Sequence, residues 1–122
     1  MYHGYEQYKM QSVNTMTRGE MLLLLYDELL KRLGKAELAL KEKQYSVFEQ
    51  SIQRSRDIVR YLDRTLNMEY PISRQLRRLY EYFLYDISRI QAGRNTAVIK
   101  ELRDLVEELR DAFREAAKTA NV

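Results

Sequence analysis

The side chains that do most catalytic and metal chemistry are nearly missing from this sequence. His3 is the single histidine, and cysteine is absent. No thiolate nucleophile, disulfide or thiolate metal site can therefore be assembled. A helical bundle can hold a carboxylate-bridged metal pair, but that site draws on two Glu-x-x-His elements, and His3 alone cannot supply them. Ser–His and Cys–His pairs, phosphate-cradling glycine loops and the helical zinc motif H-E-x-x-H are missing as well. His3 reads as a solvated terminal residue. The expectation is a protein that is not an enzyme and needs neither metal nor cofactor.

Two other groupings of residue types stand out. Arg56, Arg60 and Arg64 share one helical ridge, and Arg74, Arg77 and Arg78 follow closely, which is the form an electrostatic footprint for nucleic acid would take. Asp57, Asp63 and Glu69 dilute it. An ordinary charged bundle face, with arginine stems lying on apolar surface, is the preferred reading, and no nucleic acid is expected. Near the start, the stretch YEQYKMQSVNT (5–15) follows Tyr2 and Gly4, so that Tyr2, Tyr5 and Tyr8 stand three residues apart. That spacing puts them on roughly one side of a helix. Gly4 weakens such a helix, and segments shorter than about 12–15 residues are marginal in water. The aromatics need an apolar surface to lie on.

The surface must come from the rest of the chain. With 122 residues, four glycines and one proline, the sequence fits one domain with few points where a helix could be interrupted. Leu22, Tyr26, Leu29, Leu33, Ala36 and Leu40 step by three and four, as a core-facing helical stripe does. Thr17 and Glu20 have capping-box spacing ahead of it. Phe48, Ile52, Ser55, Val59, Leu62 and Leu66 form a second stripe ending near Asn67. Pro71 suits the first turn of a third helix, carrying Ile72, Leu76, Leu79, Phe83, Ile87 and Ile90. Gly93 and Asn95, the latter as N-cap, separate it from Val98, Leu102, Leu105, Leu109, Ala112 and Ala116, with fraying beyond Ala117. Short connections between helices of similar length predict an all-α, antiparallel four-helix bundle. Residues 17–119 form the bundle, and 1–16 are a short, mobile, tyrosine-rich arm.

Some apolar residues fall outside these stripes. Ile99, Val106 and Phe113 lie seven apart on the fourth helix, Leu23 and Leu30 do the same on the first, and Ile58 and Tyr61 extend the second. Wide core stripes would absorb them. Left exposed, they would offer a groove to an amphipathic partner segment. Both readings stay open on spacing alone. The longest apolar run, MLLLLY (21–26), is far below the roughly 20 residues of a membrane span. No signal-peptide run opens the chain, so a cytosolic (cytoplasmic) protein without membrane insertion is expected.

The sequence resembles the flagellin-specific export chaperones, the FliS family. The resemblance rests on Tyr5-Glu-Gln-Tyr8-Lys9, Val13-Asn-Thr15, Leu25-Tyr26-Asp27, Arg56-Asp-Ile58-Val59 with Leu62, Leu66-Asn-Met68-Glu69, Leu79-Tyr80, Glu101-Leu102 and Leu109-Arg-Asp-Ala-Phe113. It departs from the family where Glu28 replaces a glycine, Tyr70-Pro71 a glycine pair, Thr96 an aspartate and Phe113 a tryptophan. The resemblance implies a flagellar secretion chaperone that binds the disordered C-terminal segment of flagellin, prevents premature polymerisation and delivers it to the flagellar export apparatus. The candidate partner-binding residues are then Tyr5, Tyr8, Val13, Leu23, Leu30, Ile58, Tyr61, Ile99, Val106 and Phe113. Whether the free protein forms a homodimer stays open. The alternative is a generic helical adaptor or basic nucleic-acid-binding bundle.

Overall fold

A computed structural model of the chain describes residues 16–120. Among these residues the fold is all-α: α1 (Arg18–Lys41), α2 (Tyr45–Arg64), α3 (Ile72–Gly93) and α4 (Thr96–Ala120).

Side-chain caps start α1 and α4. The capping box forms at α1: Thr17 Oγ1 accepts from the Glu20 N–H at 3.1 Å, and Glu20 Oε2 accepts from the Thr17 N–H at 3.4 Å. Asn95 Oδ1 accepts from the Ala97 N–H at 2.9 Å at the start of α4, satisfying one of that helix's free donors. The end of α3 differs from the expected glycine break. Gly93 is still helical, and the left-handed conformation falls on Arg94 (φ 50°, ψ 41°), a cost of about 1–2 kcal/mol for a residue with a Cβ. The Arg94 guanidinium lies 4.1 Å from the centroid of the Tyr45 ring, and that cation–π contact offsets part of the strain.

Cross-helix bonds fix the antiparallel order. Arg18, opening α1, donates to the Thr65 carbonyl just past α2 at 2.7 Å. Asp63 near the end of α2 accepts from Arg77 near the start of α3 at 3.2 Å. Glu37, late in α1, meets Arg103, early in α4, at 2.6 Å, and Asp27 meets Arg110 at 3.1 Å. The helices close a ring in which each packs on its two chain neighbours, with α4 against α1 and the α3–α4 seam the most loosely packed. Large side chains such as Leu29, Leu33, Phe48, Ile52, Phe83, Ile87 and Leu102 are fully buried in the centre. Tyr26 and Tyr80 are buried there too, their hydroxyls 2.6 Å apart across the diagonal of the ring.

Helix α4 departs from its expected phase. Val98, Ile99, Leu102 and Val106 fill the core, Leu105 and Leu109 are half-buried, and Ala112 and Ala116 are exposed. Burying the β-branched Ile99 and Val106 removes more apolar area from water than burying alanines would, so the helix turns that flank inward. On α3, Ile72 is likewise exposed rather than part of the core.

Candidate functional site: an apolar groove between the third and fourth helices

The first turns of α3 and the last turns of α4 do not close on each other. Ile72, Leu76 and Leu79 from α3 face Leu109, Ala112, Phe113 and Ala116 from α4 around an open groove of about 250 Å³, with Gln75 its one polar lining residue. The small Ala112 and Ala116 side chains leave the space, and Ile72, 51% exposed, forms its outer lip. Leu76 is buried at the base. The half-buried Phe113 ring packs on the core Tyr26 ring at 5.7 Å between centroids, tilted by 47°. No ionisable group lines the groove, so its chemistry is restricted to burying apolar side chains of another segment.

A second hollow of about 340 Å³ lies between α1 and α2, where Leu25, Ile58 and Tyr61 are surrounded by Glu28, Arg32, Arg54 and Asp57. Arg32 Nε donates to Glu28 Oε1 at 2.9 Å across part of it. This hollow suits a segment that combines apolar and polar side chains.

The residues singled out from the sequence are thus distributed over several places. Phe113 is in the groove, and Ile58 and Tyr61 are in the second hollow. Leu23 and Leu30 are half-buried on the flank of α1 that carries Asp27 and Glu37, which pair with α4. Tyr5, Tyr8 and Val13 lie outside the described residues. The ridge expected over Ile99, Val106 and Phe113 is divided by the fold: Ile99 and Val106 have no exposed surface. A seven-residue repeat drifts by about 20° per heptad on a straight helix, so the inner part of the series joins the core and only Phe113 emerges. Ile72, Leu79, Leu109, Ala112 and Ala116 were expected in the core and instead line the groove. The signal for them is the pair of alanines closing the α4 stripe, too small to fill the gap opposite Ile72 and Leu79.

One buried acid stands apart. The side chain of Asp86 on α3 has no exposed surface; Oδ1 accepts from Arg89 at 3.1 Å, whereas Oδ2 has no partner among the described residues. Burial pushes its carboxyl above the usual range, and the charge of Glu101 adds to this.

Comparison with known proteins bears directly on what such a bundle is. The family profile described as flagellar protein FliS matches residues 1–120. The chain belongs to the FliS family. The flagellar secretion chaperone FliS of Bacillus subtilis (strain 168) is 27% identical over 115 residues, covering 94% of this chain and 86% of that protein. A solved structure described as a crystal structure of a flagellar chaperone from bacteria has a TM-score of 0.81 and 17% identity, covering 97% of this chain and 98% of the other, a likeness of fold. This FliS-family chain is accordingly a flagellar chaperone and not an enzyme. Among the described residues no helix is long and apolar enough to cross a membrane.

Proposed function

We propose that this chain is a cytosolic chaperone that holds the disordered C-terminal segment of flagellin in the α3–α4 groove, keeps it from polymerising prematurely, and carries it to the flagellar export apparatus. The observation that carries this reading is a preformed, uncharged groove on a chain of the FliS family. A disordered client that orders itself along such a surface uses part of its binding energy in doing so, which allows a long contact that is still reversible. Phe113 is the aromatic anchor, and Ile99 and Val106 support the helix from inside rather than touching the client. Ile58 and Tyr61, with Leu23 and Leu30 on the flanks, provide further contact.

Tyr5, Tyr8 and Val13 belong to the same proposal as a cover that competes with the client. Residues 1–15 lead into α1 at the end of the bundle where the groove opens, because the start of α1 meets the end of α2 through Arg18 and Thr65 and Ile72 starts α3. A chain of that length spans up to about 50 Å when extended, enough to reach the groove.

The test is titration of a peptide with the sequence of flagellin's C-terminal segment against Ala112→Glu and Ala116→Glu. Both alanines are exposed on a helix, so glutamate is tolerated there at a few tenths of a kcal/mol, while its charge must be desolvated when the groove fills. Affinity should fall by about tenfold or more, about 1.4 kcal/mol, with helicity unchanged. Unchanged affinity in both folded variants would place the client elsewhere.

A further inference from the structure

We propose that the corner of the bundle where α2 ends and α3 begins is a docking surface for an acidic segment of a partner protein, held by unpaired arginines. The stretch 60–78 contains five arginines, no lysine and two carboxylates, a surplus of three that equals the net charge of the whole chain. Of the two acids, Asp63 is taken by Arg77 at 3.2 Å. Arg60, Arg64, Arg74 and Arg78 are exposed and hold no carboxylate among the described residues. A fifth arginine, Arg18, is drawn to the same corner through the Thr65 carbonyl (2.7 Å) and hydroxyl (3.1 Å), and it too lacks a carboxylate there. Of the eight arginines elsewhere, Arg32, Arg89, Arg103 and Arg110 each hold a carboxylate, and Arg56 donates to Gln53 and Gln91.

The cations are arranged as well as concentrated. Arg60 and Arg64 are one turn apart on α2, and Arg74 and Arg78 are one turn apart on the antiparallel α3, with the Arg77–Asp63 pair clamping the two helices between them. The Arg64 guanidinium is already placed 5.6 Å from the centroid of the Tyr61 ring. Guanidinium forks recognise planar anions in pairs, which lysines would not do as specifically. Met68, Tyr70 and Ile72, 41%, 62% and 51% exposed, border the arginines. A nucleic-acid backbone offers a uniform row of phosphates and nothing to cover that apolar border, and Glu69 interrupts its path. A protein segment can set carboxylates on the arginines and apolar side chains on Met68 and Tyr70. On α3, Arg74 and Arg78 lie roughly opposite Leu76 and Leu79 in helical phase, and the two surfaces adjoin only at Ile72, the lip of the groove, so the proposal does not rest on the client occupying the groove.

The probe is a labelled peptide of about 16 residues, roughly 24 Å as a helix, with glutamates on one side and leucine and tyrosine on the other. Controls are its glutamine-for-glutamate counterpart and a single-stranded oligonucleotide of equal charge. In anisotropy titrations the acidic peptide should bind about tenfold or more tightly than the glutamine peptide, and weaken as salt rises. Arg64→Gln with Arg78→Gln should lose about tenfold while binding the flagellin peptide as before. Arg60→Gln with Arg74→Gln repeats the test should the first pair lose helicity. Acidic-peptide binding unchanged in the folded variants overturns the proposal, and so does tighter binding of the oligonucleotide than of the peptide.

Discussion

Removing one hydroxyl of the buried Tyr26–Tyr80 pair should destabilise this protein more than removing both. The two oxygens are 2.6 Å apart and neither side chain has exposed surface. Tyr26→Phe deletes the bond and also leaves the Tyr80 hydroxyl without its partner in the core, which costs about 1–3 kcal/mol. In a domain of this size that corresponds to a fall in Tm of about 4–10 °C. Tyr80→Phe should behave alike. The double variant replaces a polar pair by two rings of the same shape and should lie within about 1 kcal/mol of the wild type. Urea unfolding followed by circular dichroism gives all four stabilities. A double variant that loses the sum of the two single losses would refute the reasoning, because the hydroxyls would then act independently. The pair also predicts alkaline lability. Burial raises both phenol pKa values, and for Tyr26 the neighbouring Tyr80 adds to the rise. Their contribution is fully present below the unfolded value of about 10 and is lost as pH rises beyond it, where unfolded tyrosines release protons that the folded ones retain. The Phe/Phe variant should lose less stability than the wild type above that pH.

Asp86→Asn should raise the unfolding free energy at neutral pH by about 1 kcal/mol in urea titrations, since burial raises the pKa of the Asp86 carboxyl. The direction of that shift means the ionised group weakens the fold above the unfolded pKa, so the advantage of asparagine should vanish near pH 4. Thr17→Ala, which breaks the capping box, should cost about 1 kcal/mol in thermal or urea unfolding. If residues 1–15 cover the groove as proposed, deleting them should tighten flagellin-peptide binding modestly and increase binding of a hydrophobic dye. If Tyr5→Ala with Tyr8→Ala instead weakens the peptide strongly in a folded protein, those residues clamp the client rather than cover its site.

The helices were legible because their signals are local. Three- and four-residue spacing marked the four stripes, and Thr17, Glu20 and Asn95 act as the caps their positions suggested. The phase of α4 was not legible, because Val98, Ile99, Leu102, Leu105 and Val106 form an apolar arc too wide to show which edge faces inward. Only packing against three other helices decides that. The groove was hidden for the same reason: Ile72, Leu79, Leu109, Ala112 and Ala116 keep core spacing, and their exposure follows from the helices parting at one end. Tyr26 and Tyr80 were visible as stripe or motif residues, but their pairing across 54 positions has no local trace. Asp86 likewise reads as one more charge until α4 covers it.

The size of the groove constrains how a client is held. About 250 Å³ accommodates one or two large apolar side chains, each contributing about 1.5–3 kcal/mol on burial. Ordering the segment that carries them opposes this by about 1–2 kcal/mol per residue for the backbone, so on the proposed reading the groove alone would hold a client weakly. The hollow containing Leu25, Ile58 and Tyr61 offers a second anchor, but it lies on the α1–α2 seam, opposite the α3–α4 seam in the ring of helices. With neighbouring helix axes about 8–10 Å apart, a segment using both must pass round the bundle rather than run along one face. Such an attachment is bivalent: once one anchor is seated the other is held at high local concentration, and affinity rises without either contact becoming strong. Release then needs only one weak anchor to open first, which reconciles a secure hold with delivery.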